Sequence, residues 1–247
     1  MRQVLVTGGH KRLGRAIALE LGAAGFAVAV HYRRDPQAAA DVVAAVAAGG
    51  GRAVALQAEL TDPAALTALV AAAAAALGGL SLVVAAAASY EATPVSALDG
   101  AQLERAFACN ARAAVELVLA ARPWLAASGD GRFIALGDLA AQTPYAGYLA
   151  HSMAKAALHA AVKGLAVELA PAVTVNAIVP GAVLRPAALP AAAWERLLAA
   201  APQGRLIADD PAAGARAVAE AARYLATCSR SVNGTFLTID GGRTARW

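Results

Sequence analysis

Short apolar runs alternate with longer helical segments along the whole chain, and this alternation limits the fold more than any other feature. Because the runs are continuously apolar, the strands are expected to be buried on both faces, as in a parallel sheet covered by helices. Predicted strands lie at 2–7, 26–32, 52–57, 80–86, 131–137, 172–179 and 235–239. Predicted helices lie at 12–24, 37–48, 63–77, 97–108, 110–127, 148–170 and 211–227. The sequence therefore predicts an α/β fold: a single doubly wound Rossmann-type domain over residues 1–247, with a seven-stranded parallel sheet and helices on both faces.

Composition excludes several classes of protein. The chain is 59% hydrophobic and 15% charged, whereas a disordered chain has low hydrophobicity and high net charge. A net charge of +4, dispersed along the sequence, does not predict nucleic-acid binding. Cys109 and Cys228 are too few for a disulfide framework or a zinc site, so we expect no metal and a reducing, cytoplasmic location.

Two segments need separate interpretation. Residues 63–90 carry no charge and are long enough to span a bilayer, but Gly78-Gly79 divides them. Asp62-Pro63 is a helix-start signal, as are Asp35-Pro36 and Asp210-Pro211. We therefore expect a helix after Asp62 followed by a buried strand, and no membrane span. Residues 180–210 are rich in proline and alanine, and we expect them to form a mobile lid over a substrate site.

A glycine-rich turn joins the first predicted strand to the first predicted helix. It reads Thr7-Gly8-Gly9-His10-Lys11-Arg12-Leu13-Gly14. Glycine lets a phosphate approach the main chain, and the N-terminus of the helix offers N–H groups and a positive dipole end to an anion. Arg12 stands where the plain G-x-G-x-x-G fingerprint has a middle glycine. The turn predicts a dinucleotide site; the alternative is a tight turn that binds no ligand.

The end of the second predicted strand bears on which dinucleotide is bound. It reads His31-Tyr32-Arg33-Arg34. An NAD site usually has a carboxylate here, whereas arginines suit the 2′-phosphate of NADP(H) through forked, charge-assisted hydrogen bonds. Arg33 and Arg34 therefore favour NADP(H), unless they are simply solvated surface residues. Asp35 follows them and is expected to cap the next helix.

In the order and spacing of these residues, the chain resembles the short-chain dehydrogenase/reductase family over nearly its whole length, and pteridine reductases most closely within it. The resemblance rests on the glycine-rich turn, His31-Tyr32-Arg33-Arg34, Asn110, the pair Asp138 and Lys155, Pro180-Gly181 and Asp240-Gly241-Gly242. The Lys11-Arg12 pair is typical of pteridine reductases. So is Asp138, which stands where most relatives have a catalytic serine.

The resemblance implies an NADP(H)-dependent reductase of a small molecule. Implied cofactor-binding residues are Thr7, Gly8, His10, Lys11, Arg12, Leu13, Gly14, His31, Tyr32, Arg33, Arg34, Glu59, Leu60, Ala86, Ala87, Lys155, Pro180 and Gly181. Implied catalytic residues are Asn110, Asp138, His151 and Lys155, and implied substrate contacts are Arg12, Tyr90, Asp138 and Tyr148. Tyr90 would stack on a pterin. Relatives commonly form tetramers through the helices that hold Asn110 and Lys155, so a homotetramer is expected.

The chain departs from the family pattern at three places. The usual Asn-Asn-Ala-Gly after the fourth strand is Ala85-Ala86-Ala87-Ala88, which lacks the amides that steady the site. The family's Tyr-x-x-x-Lys is His151-Ser152-Met153-Ala154-Lys155, so histidine replaces the usual proton donor. Glu59 replaces an aspartate beside the adenine.

Histidine at position 151 is compatible with reductase chemistry. His151 and Lys155 are four residues apart and share a helix face. The reference pKa of tyrosine is about 10 and that of histidine about 6.5, so an imidazolium donates a proton near neutral pH without a lysine to activate it. Asp138, directly or through water, and Tyr148 are alternative donors.

Three functions remain open at this point. The first is NADPH-dependent reduction of a pterin-like heterocycle, and the second is reduction of a carbonyl in biosynthesis. The third is NADP binding without catalysis, since both the tyrosine and the asparagines are absent. His10, His31 and His159 are interpreted as turn, phosphate-adjacent and helix-surface residues.

Overall fold

Seven parallel strands form one sheet in the order β3-β2-β1-β4-β5-β6-β7, as seen in a computed structural model that describes residues 1–186 and 189–245. The strands are β1 Gln3–Thr7, β2 Ala27–Tyr32, β3 Ala53–Gln57, β4 Leu82–Ala85, β5 Gly131–Leu136, β6 Val173–Pro180 and β7 Phe236–Ile239. The predicted fold class is confirmed. The strand order reverses between β1 and β4, where doubly wound sheets open a crevice at their carboxyl ends.

Helices cover both faces of the sheet. They are α1 Arg12–Ala23, α2 Pro36–Ala48, α3 Pro63–Leu77, α4 Gly100–Phe107, α5 Ala113–Ala127, α6 Leu149–Glu168, α7 Ala191–Ala199, α8 Gly204–Asp209 and α9 Ala213–Thr227. Helices α1, α2 and α9 share one apolar core with the sheet, and α3, α5 and α6 share the other. The side chains of β1, β4 and β5 are buried, as the continuous apolar runs predict.

Aspartate caps explain where two helices begin. The Asp35 carboxylate accepts the Ala38 N–H at 3.0 Å, and the Asp62 carboxylate accepts the Ala64 N–H at 2.9 Å. Both predictions are confirmed. The similar prediction at Asp210 is wrong by two residues: its carboxylate accepts the Ala212 N–H, and α9 begins only at Ala213.

The uncharged residues 63–90 form helix α3 followed by strand β4, as expected. Gly78 ends α3 in the left-handed conformation at φ 80°, which glycine adopts without a Cβ clash. Within residues 1–186 and 189–245, no helix is both long and apolar enough to cross a bilayer.

Residues 108–112 form a π-helical segment where the sequence predicts a break between two helices. This segment joins α4 to α5 and carries Asn110, whose side chain is only 2% exposed. Widened turns of this kind are frequent at functional sites.

The predicted lid is partly helical. It contains α7 and α8 and, with Pro211, borders a groove of about 410 Å³ lined by Leu184, Arg185, Trp194, Leu198 and Ile207. Ala187 and Ala188 of the predicted lid lie outside the described residues.

Candidate active site

A side chain of β2 hydrogen-bonds to the glycine-rich turn that follows β1. Gly8 lies at φ 64°, and its N–H donates to His31 Nδ1 at 3.0 Å. A Cβ on Gly8 would lie 3.1 Å from the Ala87 main chain, and one on Gly14 would collide with the Gly8 carbonyl. The turn therefore packs main chain against main chain, which only glycine allows.

The N-terminus of α1 is suited to bind negative charge. Lys11 is its N-cap, and among the described residues no side chain caps the helix and no acidic residue lies in its first turn. By contrast, α2, α3 and α4 each begin with an aspartate cap. Free N–H groups and the helix dipole at α1 therefore suit a diphosphate.

Thr7 holds the main chain of the alanine stretch that follows β4. Its hydroxyl accepts the N–H groups of Ala86 and Ala87 at 3.0 and 3.1 Å, and donates to the Val84 carbonyl at 3.4 Å. The side chain is 1% exposed. The start of the loop after β4 is thus held by β1, although Ala86, Ala87 and Ala88 carry no polar side chain.

The two arginines after β2 are exposed to solvent. Arg33 Nη1 lies 3.4 Å from Glu59 Oε2, an exposed pair that is worth little in water. Burial raises the pKa of Glu59, but hydrogen bonds from Thr61 and the charge of Arg33 outweigh that effect and lower it. Glu59 therefore stays ionised beside the site predicted for a 2′-phosphate. Its carboxylate would compete with the phosphate for Arg33, so Arg34 is the better placed of the two arginines to bind the phosphate.

His31 supports the turn from inside the protein. Its Nδ1 accepts from Gly8, and its Nε2 donates to the Ala58 carbonyl at 3.2 Å. Burial lowers the pKa of His31 to about 4, so the ring is neutral. With both nitrogens engaged and 3% of the residue exposed, the ring acts through the turn rather than on a phosphate directly.

His10 and Tyr32 lie beside this turn. Their rings meet edge to face with centroids 6.5 Å apart. His10 Nδ1 is buried and, in the part of the chain that the structure describes, it has no hydrogen-bond partner. An orphaned polar atom of this kind is compatible with a polar ligand in the crevice.

Arg12 reaches towards the predicted lid. Its guanidinium donates to the carbonyls of Leu184 and Arg185, each at 3.3 Å. Arg12 lies at φ 51°, and among the described residues it is the only non-glycine residue with a positive φ. A contact with cofactor phosphate or substrate, as expected for Arg12, requires the guanidinium to leave these carbonyls.

The remaining predicted cofactor residues line the same edge. Lys11 is exposed and Leu13 is half-buried at the start of α1. Leu60 is 8% exposed and belongs to the core, so it offers a ligand its main chain only. Pro180 ends β6, and a Cβ on Gly181 would lie 2.7 Å from Asp240 Cβ, which explains the glycine there.

The predicted catalytic residues come together at the carboxyl ends of β4 and β5. His151 Nε2 lies 3.2 Å from Asp138 Oδ2, and His151 Nδ1 lies 3.2 Å from the Ser89 carbonyl. Asn110 fixes Ser89: its Oδ1 accepts the Ser89 N–H at 2.9 Å, and its Nδ2 donates to the Ser89 hydroxyl at 3.2 Å. One chain of hydrogen bonds thus connects Asn110, Ser89, His151 and Asp138.

Both nitrogens of the His151 ring face oxygen acceptors. Burial raises the pKa of Asp138, but hydrogen bonds from His151 and Ala140 and the charge of Lys155 outweigh that effect and lower it. Asp138 is therefore a carboxylate, and a complete set of hydrogen bonds requires a proton on each ring nitrogen. The geometry allows the ring to donate from both nitrogens when it carries two protons.

Lys155 lies one helical turn after His151. Its Nζ donates to the Leu136 carbonyl at 2.6 Å, and the residue is 4% exposed. Burial lowers the pKa of Lys155, and the nearby Asp138 carboxylate opposes that shift.

Tyrosines form a wall beside His151. The Tyr90 and Tyr148 rings are stacked with centroids 4.4 Å apart, and the Tyr90 ring meets the His151 ring edge to face at 4.9 Å. Burial, together with Tyr148 and Asp138, raises the pKa of Tyr90 to about 12. Tyr148 occupies one face of the ring that was expected to stack on a substrate.

Sequence reasoning missed Tyr145. Burial raises its pKa, and the charge of Asp138 and a hydrogen bond to it add to the rise. Its hydroxyl therefore stays protonated and faces the Asp138 carboxylate. The loop between β5 and α6 carries no motif that singles this tyrosine out.

His159 is not a helix-surface residue, and that prediction is wrong. Its ring packs on Phe236 with centroids 4.7 Å apart, and its Nε2 accepts the Asp138 N–H at 3.4 Å. The interpretation failed because the ring fits over Gly137 and against Phe236, which leaves the side chain half-buried.

Comparisons with known proteins agree with this geometry. Residues 9–244 match the protein family described as enoyl-(acyl carrier protein) reductase. An uncharacterised oxidoreductase of Mycobacterium tuberculosis is 35% identical over 246 residues, covering 97% of this chain and 91% of the relative. The 3beta-hydroxysteroid dehydrogenase 1 of Eggerthella lenta is 32% identical, covering 98% of this chain and 94% of the relative. The crystal structure of FolM alternative dihydrofolate reductase 1 from Brucella canis, complexed with NADP, superimposes with a TM-score of 0.90 at 30% identity, covering 100% of this chain and 95% of that one. The predicted family and oxidoreductase class are confirmed: this chain belongs to the short-chain dehydrogenase/reductase family.

Proposed function

We propose that this protein is an NADPH-dependent reductase of a flat, pterin-like heterocycle, with His151 as the proton donor. The observation that carries the proposal is the His151–Asp138 pair, in which both ring nitrogens face acceptors beside a wall of tyrosines. The relative from Brucella canis, an alternative dihydrofolate reductase by name, supports a pterin-like substrate.

The residues present fit NADP(H). The uncapped N-terminus of α1 and the turn at Gly8 suit the diphosphate, and Arg33 and Arg34 suit a 2′-phosphate. The His31 ring keeps the turn in shape, and the Thr7 hydroxyl does the same for Ala86 and Ala87. When bound, NADPH supplies hydride; the protein must supply position and a proton.

The proton in this proposal comes from the imidazolium of His151. A basic ring nitrogen of the substrate displaces Asp138 from Nε2, whose present separation of 3.2 Å is long for a charge-assisted hydrogen bond. The Ser89 carbonyl retains Nδ1–H, so the ring keeps its orientation while Nε2 gives up its proton. The Asp138 carboxylate stabilises the charged ring before transfer, which explains why aspartate serves here better than serine.

The tyrosine wall supports a flat substrate. Stacking between aromatic rings favours offset, near-parallel contacts, as Tyr90 and Tyr148 already make at an interplanar angle of 17°. A bicyclic heterocycle can take the place of Tyr148 against Tyr90, or extend the stack beyond it. Arg12 then contacts cofactor and substrate once it leaves the carbonyls of residues 184 and 185.

A carbonyl substrate is the second candidate. The hydroxysteroid dehydrogenase of Eggerthella lenta supports it, because that relative is named for chemistry at a hydroxyl or ketone carbon.

A panel of substrates separates these functions. Purified protein is mixed with NADPH and either a dihydropterin, a cyclic ketone or no second substrate, and the loss of NADPH absorbance is followed. We expect oxidation with the dihydropterin. Oxidation of NADPH with the ketone and not with the dihydropterin would show a ketoreductase instead. If the protein binds NADPH but oxidises it with neither substrate, the non-catalytic function is the one supported.

We also propose that the protein is a homotetramer. Apolar side chains on the outer faces of α5 and α6 support this, since Leu119, Trp124, Met153 and Val167 are 43–78% exposed. Light scattering of the purified protein tests it.

A further inference from the structure

We propose that His159 is a positioning residue: it holds the end of β5 so that the Asp138 carboxylate meets His151. The inference rests on the proposed function for its catalytic meaning only, because the contacts can be tested without a substrate. The residue does not reach the tyrosine wall and acts through Asp138.

Three side chains of α6, each one turn apart, contact Leu136, the last residue of β5, and Asp138, two residues after it. His151 contacts the Asp138 side chain, Lys155 donates to the Leu136 carbonyl, and His159 accepts the Asp138 N–H. Residues four apart on a helix share one face, so this row follows from the spacing 151, 155 and 159. Asp138 is therefore fixed at its main chain as well as at its carboxylate, whose Oδ1 accepts the Ala140 N–H at 2.8 Å.

Gly137 and His159 fit each other closely. A Cβ on Gly137 would lie 2.5 Å from His159 Nε2, so the ring occupies the space that any other residue would fill. Gly137 has no positive φ, and its backbone conformation does not require glycine. The absence of a side chain at 137 is explained by the approach of the ring, which Phe236 supports from the other side.

The role requires a neutral ring whose Nε2 is an acceptor. Burial and the charges of Lys155 and Lys163, partly opposed by Asp138, lower the pKa of His159 to about 4. The proton of the neutral ring then lies on Nδ1, which leaves the Nε2 lone pair for the Asp138 N–H. Without that acceptor, a half-buried N–H loses its partner and the end of β5 is free to move away from His151.

The experiment compares His159→Leu, which removes the acceptor, with His159→Gln, which keeps one at a similar distance. Hydrogen exchange reports the Asp138 amide, and nitrogen NMR at one fixed pH reports the resonance of His151 Nε2, which is sensitive to its hydrogen bond with Asp138, both without substrate. Titration with NADPH serves as the control for an intact fold. In the leucine variant we expect at least tenfold faster exchange at Asp138 and a shift of the His151 Nε2 resonance away from its wild-type position. The glutamine variant should behave as the wild type, and NADPH should bind both.

A second variant covers the case in which the leucine protein does not fold. Gly137→Ala displaces the same ring while retaining the histidine, and the same two changes are expected. If either variant binds NADPH but keeps wild-type exchange at Asp138 and the wild-type His151 Nε2 resonance, the positioning role is wrong. If both changes occur while no substrate is reduced, the positioning role stands and only the proposed function fails.

Discussion

Acid is expected to destabilise the protein through His31, the residue beneath the phosphate turn. The neutral ring accepts the Gly8 N–H at Nδ1 and donates to Ala58 at Nε2. A proton on Nδ1 removes the acceptor and places a charge in a site that is 3% exposed. Burial accordingly lowers the pKa of His31 from 6.5 to about 4 in the folded protein.

The size of the effect follows from this shift. Since the folded pKa is depressed, the unfolded chain binds the proton more tightly, and the stabilising contribution is complete above pH 6.5. It is lost as pH falls, by about 1.4 kcal/mol per pH unit, until the folded ring also titrates near pH 4. Near pH 5 the loss from His31 is therefore about 2 kcal/mol, and at lower pH it approaches about 3 kcal/mol.

Urea unfolding of the wild type and His31→Gln measures this contribution. Glutamine offers an oxygen to Gly8 and an amide to Ala58 but does not titrate between neutral pH and pH 5. Between about pH 7.5 and pH 5, the wild type should lose about 2 kcal/mol more free energy of unfolding than the variant. The pKa of His159 is also lowered, so its titration destabilises both proteins as pH falls. This contribution is the same in wild type and variant and cancels in the difference between their free energies of unfolding. Equal losses in wild type and variant would refute the assignment of His31 as a buried neutral ring.

Two further predictions concern the cofactor end of the site. Thr7→Val should lower the free energy of unfolding by about 2–4 kcal/mol, because two N–H groups lose their acceptor. Urea unfolding measures this against Thr7→Ser, which keeps the hydroxyl. Equal stability of the valine and serine variants would contradict it. Arg34→Ser should weaken NADPH binding by about ten- to hundredfold and leave NADH binding unchanged, since only NADPH carries the 2′-phosphate. Fluorescence titration with both nucleotides measures the two affinities. An equal loss of affinity for NADPH and NADH would argue against a phosphate contact.

The sequence predicted the architecture well because the strands are nearly pure apolar runs and the helices carry strong start signals. Asp35 and Asp62 do cap the helices that follow them. Asp210 fails as a start signal because its carboxylate closes a turn onto Ala212, two residues before the main chain becomes helical. Local sequence fixes such a cap only to within a turn.

The site was predictable where residues lie close in sequence or follow a strand, and not where tertiary packing decides. The family resemblance identified His151, Lys155 and Asp138, and the helical spacing of the first two then placed them on one face. The contacts of His159 and Tyr145 with Asp138 depend on how α6 and the loop before it pack against the residues that follow β5. No local sequence pattern encodes that packing. Thr7 was predicted to bind cofactor, but its hydrogen bonds to Ala86 and Ala87 show a supporting role that the alanine stretch alone conceals.

The central claim is that an imidazole does the work of the family's tyrosine, and single-turnover reduction of a dihydropterin by the NADPH-bound protein tests it most directly. Wild type, His151→Phe and Asp138→Asn are compared after NADPH titration has established equal loading. General acid catalysis contributes about a hundredfold or more, so the phenylalanine variant should be slower than wild type by at least that factor. The asparagine variant should fall between the two, because the ring remains but its proton is less stabilised. Reduction by His151→Phe at the wild-type rate would contradict the claim and assign the proton to another donor.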